Sequence, residues 1–405
     1  MSERLYYADS YLRTFEAEVV ERLIVSDQPA VVLNRSAFYP EGGGQPSDRG
    51  TLDHARVLDV IERDSDGAVL HLLDGPLTAD RVVGTIESAR RFDLMQQHTG
   101  QHILSEAFIQ TARAMTVSFH LNPDPDDGAL TIDLDTAKLT PAQIERAEDL
   151  ANQIVWENRP VQARFVTHDE LAALPLRKPP KVDTSIRVVE IQGFDWSACG
   201  GTHVARTGEV GLIKIVKVER RGAESRIEFR CGGRALSDYR RKHAVVSKAA
   251  GDLTIGFWEL DQAIGRLQTD AKTLRKQLAE AEARLQQYEA QDLIAVARVQ
   301  GDWRVIAQTW QNRDAAYLKR MAQLLTAQPG TIAILGATGA ALALVFARSK
   351  DAPGDLAAKL RAAAAQLGAK GGGSPDFAQA GGPAVGEEQL KAVIDQVVQQ
   401  LLAAG

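Results

Sequence analysis

Two short segments of this chain each place two metal-type side chains four residues apart: HTGQH at His98–His102 and CGGTH at Cys199–His203. On a helix that spacing puts both side chains on one face, one turn apart. Three imidazoles and a thiolate form the nitrogen and sulfur set that Zn²⁺ takes at roughly 2.0–2.3 Å. A zinc finger gathers its ligands within about thirty residues. Here about a hundred residues separate the pairs, so the fold has to bring two walls of one domain together. The expectation is one Zn²⁺ per chain, held by His98, His102, Cys199 and His203 in a cleft. Metalloprotease chemistry of the His-Glu-x-x-His kind is excluded, because Thr99 stands where the general base belongs. Four protein ligands also admit a closed, structural site, and catalysis then needs ligand exchange or an added position.

The 405 residues, 44% hydrophobic and 25% charged, are enough for two to four globular domains. Two cysteines, Cys199 and Cys231, make no disulfide framework and point to a reducing, cytoplasmic setting. No signal-like N-terminus or membrane-length apolar run is present. The net charge of −6 means that any nucleic-acid contact must be local. The candidate is the basic stretch Arg220–Lys242, with Arg220, Arg221 and Arg226 at its head.

Residues 1–89 show short alternating runs between turn residues, the pattern of a small antiparallel β barrel or sandwich. Within them, Tyr39–Gly50 reads as a mobile or ligand-wrapping glycine-rich loop. Residues 90–233 read as an α+β block. A helix over Asp93–Thr111 carries the first motif, and Thr140 with Pro141 caps and opens a second helix. In 234–299, Leu260, Ile264, Leu267, Ala271, Leu274, Leu278, Ala281, Leu285 and Tyr288 follow a 4-3-4-3 spacing. That predicts a long coiled-coil helix and a homodimer through Leu260–Tyr288. Residues 300–405 alternate strand and helix patterns, a small α/β domain. Inside it Ala369–Pro383 is a double glycine cluster, and Gly371, Gly372 and Gly373 are candidates for cradling phosphate.

Around the metal quartet, Gln97 is placed to hold a water or a carbonyl, as is Gln101. Gly200 and Gly201 leave backbone amides beside Cys199 that can stabilise an oxyanion. Ser36, with Gly43, Gly44 and Gln45 of the glycine loop, forms the candidate substrate-contacting set.

FYPEGGGQPSDRG (Phe38–Gly50), MQQHTGQHILS (Met95–Ser105) and CGGTHVARTGEVG (Cys199–Gly211) resemble the editing region of alanyl-tRNA synthetases. The heptad helix and GGGSPDFAQAGG (Gly371–Gly382) resemble that enzyme's C-terminal DHHA1 domain. The match runs in order along essentially the whole chain, and the chain begins at the barrel. That layout resembles the large AlaX-type family of free-standing alanyl-tRNA editing proteins. The resemblance implies an α+β multidomain fold: an N-terminal barrel, a zinc-containing editing domain, long coiled-coil helices and a DHHA1-like C-terminal domain. It implies zinc on the quartet, selection of a hydroxyl-bearing aminoacyl group by Ser36, and tRNA-Ala as partner. The activity it implies is deacylation of Ser-tRNA-Ala, with Gly-tRNA-Ala beside it. Editing of Ser-tRNA-Thr and a non-catalytic, zinc-stabilised tRNA-binding role are the alternatives.

Overall fold

The computed structural model describes residues 2–124, 130–179 and 186–403. The chain divides into two compact units, Met1–Phe257 and Trp258–Gly405, the division falling inside the segment 234–299.

The first unit opens with six strands, β1 (Thr14–Val25), β2 (Gln28–Leu33), β3 (Gly50–Leu52), β4 (Ala55–Glu62), β5 (Val69–Leu73) and β6 (Arg81–Ile86). They close into a barrel in the order β1-β2-β5-β4-β3-β6. Strand β6 shows why: Val82, Gly84 and Ile86 face inward while Arg81, Val83 and Thr85 face out, the period of two that a half-buried strand requires. Phe15, Phe38, Leu33, Leu52 and Leu73 fill the interior. Each such side chain taken from water contributes about 1.5–3 kcal/mol.

Helix α1 (Ser88–Ala112) follows, its middle turns buried almost all round, and stops where Arg113 turns left-handed at φ 54°. Strands β7 (Thr116–His120) and β8 (Leu130–Leu134) come next, then helix α2 (Pro141–Trp156). Thr140 accepts the Gln143 amide and the Gln143 side chain answers on the Thr140 backbone, with Pro141 at the first helical position. This is the capping box that Thr140–Pro141 predicts. Strands β9 (Val161–Val166), β10 (Ile186–Ile191) and β11 (Asp195–Ala198) form one antiparallel sheet. Strands β12 (Ile213–Arg221) and β13 (Glu224–Cys231) join β8 and β7 in another, ordered β12-β13-β8-β7. Helix α3 (Gly232–Leu253) completes the unit.

The second unit begins with helix α4 (Leu260–Ala295), 36 residues long. Strand β14 (Arg298–Gln300), β15 (Trp303–Gln311), helix α5 (Ala315–Thr326), β16 (Thr331–Thr338), β17 (Leu342–Arg348), helix α6 (Leu356–Gln366), β18 (Lys370–Ser374), β19 (Phe377–Gly382) and helix α7 (Glu387–Leu402) follow. The sheet order is β14-β15-β16-β17-β19-β18, with β15 and β16 parallel. The alternation expected for 300–405 is therefore a mixed sheet with helices on it. One expectation is corrected here. Gly371, Gly372 and Gly373 do not form a phosphate-wrapping loop; they lie in edge strand β18, paired with Ala380, Gln379 and Ala378. Without side chains the two strands of this hairpin approach closely, which a loop reading of the glycines does not anticipate.

The heptad positions of α4 are open. Ile264, Leu267, Leu274, Leu278, Leu285 and Tyr288 are each at least 49% exposed. No helix among the described residues is long and apolar enough to cross a membrane.

Candidate metal centre

The two motifs meet inside the first unit. His98 and His102 lie on α1, one turn apart, and Cys199 and His203 follow directly after β11. Their ligand atoms all lie within 4.8 Å of one another. Cys199 Sγ is 3.5 Å from His98 Nε2 and 3.4 Å from His203 Nε2. A tetrahedral centre with Zn–N near 2.05 Å and Zn–S near 2.3 Å requires an N···S separation of about 3.5 Å. The site therefore has the dimensions of zinc coordination.

The other nitrogen of each ring is already bound, and for His98 and His102 an acceptor-only oxygen sets the tautomer. His98 Nδ1–H donates to Gln45 Oε1 at 2.8 Å. His102 Nδ1–H donates to Asp195 Oδ2 at 3.0 Å. His203 Nδ1 lies 3.1 Å from the Thr99 hydroxyl, which also accepts the Val204 amide. The three rings are thus turned so that their ligand atoms gather at one point, the arrangement in which outer partners orient metal ligands. Asp195 is itself held by the Ser197 hydroxyl at 3.0 Å and lies 3.5 Å from Arg177. Gln45 is held in turn by Thr202, whose amide donates to Oε1 while its hydroxyl accepts from Nε2.

Electrostatics follow the same pattern. Burial alone pushes the Cys199 thiol up, but the facing imidazoles of His98 and His203 outweigh it and hold the group well below the usual thiol value. Burial drives His203 down to about 3, with His98 adding to the effect. Burial also disfavours charged His102, yet its bond to Asp195 and the facing Cys199 together outweigh that and raise it. Metal binding takes the thiolate and neutral imidazoles; Cys199 and His203 are biased that way, whereas a bound metal has to displace the proton that Asp195 favours on His102.

A relative from Pyrococcus horikoshii, alanyl-tRNA editing protein AlaX-L, is 31% identical and aligned over 98% of both chains. This chain belongs to that family. A family model described as the second additional domain of threonyl and alanyl tRNA synthetases matches residues 186–228 of this AlaX-L-family member. Alanine–tRNA ligases from Methanothrix thermoacetophila and Pyrobaculum neutrophilum are 32% and 33% identical over 97% and 93% of the chain. The chain spans less than half the length of those ligases, 44% and 42%.

Other expected site residues land differently in this AlaX-L-family fold. Gln97 does not face the cluster: it accepts the Cys231 amide at 2.9 Å and donates to the Cys231 carbonyl and Asp93 at 3.1 Å. It pins α1 to β13, so its amide is spent. Gln101 bonds Ser105, and its Oε1 is buried without a partner. The Gly201 amide lies 3.4 Å from Cys199 Sγ and donates to it, leaving Gly200 as the exposed amide of the pair. Arg187 holds this turn by donating to the carbonyls of Cys199 and Gly201 at 3.0 and 2.8 Å.

The glycine-rich loop is a tight hairpin. Gly42 and Gln45 exchange backbone hydrogen bonds of 3.1 and 2.9 Å around Gly43 and Gly44, at φ 56° and 86°. Two successive positive φ values define a turn that glycine makes without strain, and this turn aims Gln45 at His98. The loop is tied down by Asp48, which pairs with Arg91 of α1 in a buried ion pair. Ser36 is fully buried: its hydroxyl meets His71 Nε2 at 2.7 Å and accepts the Phe38 amide at 3.1 Å. It lies among buried barrel residues, bonded to His71, whose ring stands 5.4 Å from that of Phe38.

The basic stretch is largely neutralised. Arg226 forms a paired contact with Asp133 at 2.6 and 2.7 Å, and Arg221 lies 3.8 Å from Glu219. Arg226 is therefore withdrawn from phosphate contact, and Arg220 is the freer cation of the three. Asp195 and Thr99 were not singled out from sequence. Their signal is weak, since a carboxylate four residues before Cys199 acquires meaning only once β11 packs against α1.

Proposed function

We propose that the chain hydrolyses the ester joining serine to the 3′ ribose of tRNA-Ala. The observation that carries this reading is the quartet with every histidine locked by an outer partner, in a chain of the AlaX-L family. Zn²⁺ is the metal that the quartet fits best, one per chain; when bound it supplies a positive charge that orients and polarises the aminoacyl carbonyl. The residues do the rest. Gly200 offers an amide for the developing oxyanion, on a turn that Arg187 keeps rigid. Gln45 keeps His98 in its ligand tautomer. Serine selection by Ser36 requires its bond to His71 to be exchanged for one to the substrate hydroxyl, and a site built for that bond rejects an alanyl group by leaving a polar group unpaired. An aminoacyl ester is intrinsically labile, so positioning and charge stabilisation suffice without a covalent nucleophile.

The deciding experiment compares deacylation of Ser-tRNA-Ala and Ala-tRNA-Ala, with and without chelator. Loss of seryl release on zinc removal is expected, with Ala-tRNA-Ala spared. Equal rates on both substrates defeat the selectivity. Two other readings have an observation behind them. The matched domain also belongs to threonyl-tRNA synthetases, and Ser-tRNA-Thr in the same assay tests that substrate. Four protein ligands close a tetrahedron in the manner of structural zinc, and full turnover-free binding of tRNA would support a non-catalytic role. Arg220 is the retained tRNA contact of the basic stretch. The open apolar row on α4 supports a homodimer: Leu274→Glu is expected to give monomers in solution scattering, and an unchanged mass rejects it.

A further inference from the structure

On the outer side of the glycine hairpin lies a cleft of about 340 Å³ lined by Gly44, Ser47, Arg49, Asp59, Arg90 and His120. It is one side chain from the metal centre. A Cβ at Gly44 would lie 2.8 Å from the Phe119 ring, and that ring stands 5.6 Å from the ring of His98. The next residue, Gln45, bonds His98 directly.

Arg90 is held in the cleft by carbonyls rather than by a carboxylate. Arg90 donates from Nε and Nη2 to the Ser47 carbonyl at 3.1 and 2.9 Å, and from Nη1 to the Pro123 carbonyl at 3.3 Å. Those bonds fix the guanidinium in place, and the charges of Asp48, Glu87 and Asp93 act on it only from beyond ion-pair distance. Among the described residues, no carboxylate comes within ion-pair distance of Arg90 or of the exposed Arg49. Of the neighbouring acids, Asp48 pairs with Arg91 and Asp93 with Arg234, while Glu87 is exposed to solvent. Burial lowers Arg90, and the nearby charge of Arg49 lowers it further, as two cations sharing one hollow must. Glu41 and Asp59 also line the cleft. Asp59 is bound by the Ser47 hydroxyl and by the Val60 amide. Glu41 is exposed at the rim.

We propose that this cleft binds a backbone phosphate of the single-stranded acceptor end, with Arg49 and Arg90 as its cationic walls, and so sets the depth at which the ester enters the metal site. The inference rests on the function proposed above. A phosphodiester is the ligand that two guanidiniums beside a glycine turn recognise by charge and by paired donors.

The test uses the full chain, zinc-loaded, with two ester substrates: Ser-tRNA-Ala and the seryl ester of adenosine, which has no phosphate. In wild type, KM is lower for the tRNA. In Arg49→Gln, KM for Ser-tRNA-Ala rises about two- to fivefold, the loss expected for one exposed charged contact. The KM ratio between the two substrates falls accordingly. Glu41→Gln acts in the opposite sense and lowers KM for the tRNA. Equilibrium binding of an uncharged oligonucleotide ending in CCA gives a readout free of turnover. Its salt dependence should flatten by about one unit in Arg49→Gln. An unaltered salt slope and an unaltered KM ratio overturn the cleft assignment. Failure of the wild type to release serine from either ester overturns the function reading instead, and the binding slope still decides the cleft.

Discussion

A methyl group added at Gly201 is the sharpest probe of the metal geometry. Built on the backbone, it would lie 2.3 Å from His98 Cε1, 2.5 Å from His98 Nδ1 and 2.7 Å from Gln45 Oε1. Ordinary contact starts at 3.4 Å, so the imidazole or the turn must give way by about 1.1 Å (3.4 − 2.3). Metal–ligand distances tolerate about 0.2 Å, a fraction of that displacement. The same push separates Nδ1 from Gln45, the bond that sets the His98 tautomer. Overpacking of a tight site costs about 1–3 kcal/mol, which at about 1.4 kcal/mol per decade is roughly a 5- to 150-fold weaker Kd for zinc. The neighbouring residue provides the control, because a methyl at Gly200 meets nothing nearer than the Tyr7 hydroxyl at 3.6 Å. Gly201→Ala and Gly200→Ala are purified side by side. Zinc per chain is counted by mass spectrometry, affinity is taken from chelator competition, and far-ultraviolet dichroism checks the fold. Gly201→Ala should lose metal while folded, and Gly200→Ala should keep it. Equal zinc affinity in the two variants refutes the claim that Gly201 presses on a ligand.

Asp195→Asn removes the charge behind His102 and should weaken zinc binding about 10- to 100-fold; chelator competition matching wild type contradicts its role. Ser36→Ala leaves zinc in place but should lower the ratio of Ser-tRNA-Ala to Ala-tRNA-Ala deacylation, and an unmoved ratio removes Ser36 from selection. It also strips buried His71 of its hydroxyl partner, at about 1–3 kcal/mol of stability. His71 itself gives a pH signature. Burial pushes it down to about 4, against the smaller opposing pull of the Val31 carbonyl. The unfolded group titrates near 6.5, so its contribution is fully present above about pH 6.5 and is lost as pH falls through about 4. At about 1.36 kcal/mol per unit this is on the order of 3 kcal/mol. Urea unfolding of wild type and His71→Gln from pH 7 to 4 should show the shallower loss in the variant, and parallel curves would discard the assignment.

Much of the fold can be read from pattern. Arg81–Ile86 alternates because one face of the strand is buried, and Thr140-Pro141 marks a helix start because the cap and the missing N–H are local properties. The quartet is equally legible, since its members are rare residue types at a telling spacing. What stays hidden depends on long-range placement. Gln97 sits beside a ligand in sequence, yet the helix turns it toward Cys231. Gln45 reads as a loop residue facing substrate, yet the Gly43–Gly44 turn delivers it to a metal ligand 53 positions away in sequence. Glycine clusters are ambiguous for a related reason: Gly43–Gly44 needs positive φ, whereas Gly371–Gly373 needs only the absence of side chains in an edge hairpin.

These placements bear on where the barrel belongs in the chemistry. The four ligands come only from α1 and the segment after β11, so the barrel contributes none. Yet His98 takes its orientation from Gln45, on a turn between barrel strands, and that turn is anchored to α1 by the buried Asp48–Arg91 pair. Arg91 also donates to the carbonyls of Ser10 and Ala37, which ties both ends of the barrel's first segment to the same helix. Removing one member of such a pair leaves an uncompensated buried charge, which costs several kcal/mol, and the barrel would lose its register on α1. His98 would then lose the Gln45 bond without any change to the ligand set. The candidate metal centre is thus built at the seam between barrel and helix, and the zinc binding proposed above depends on how that seam is packed.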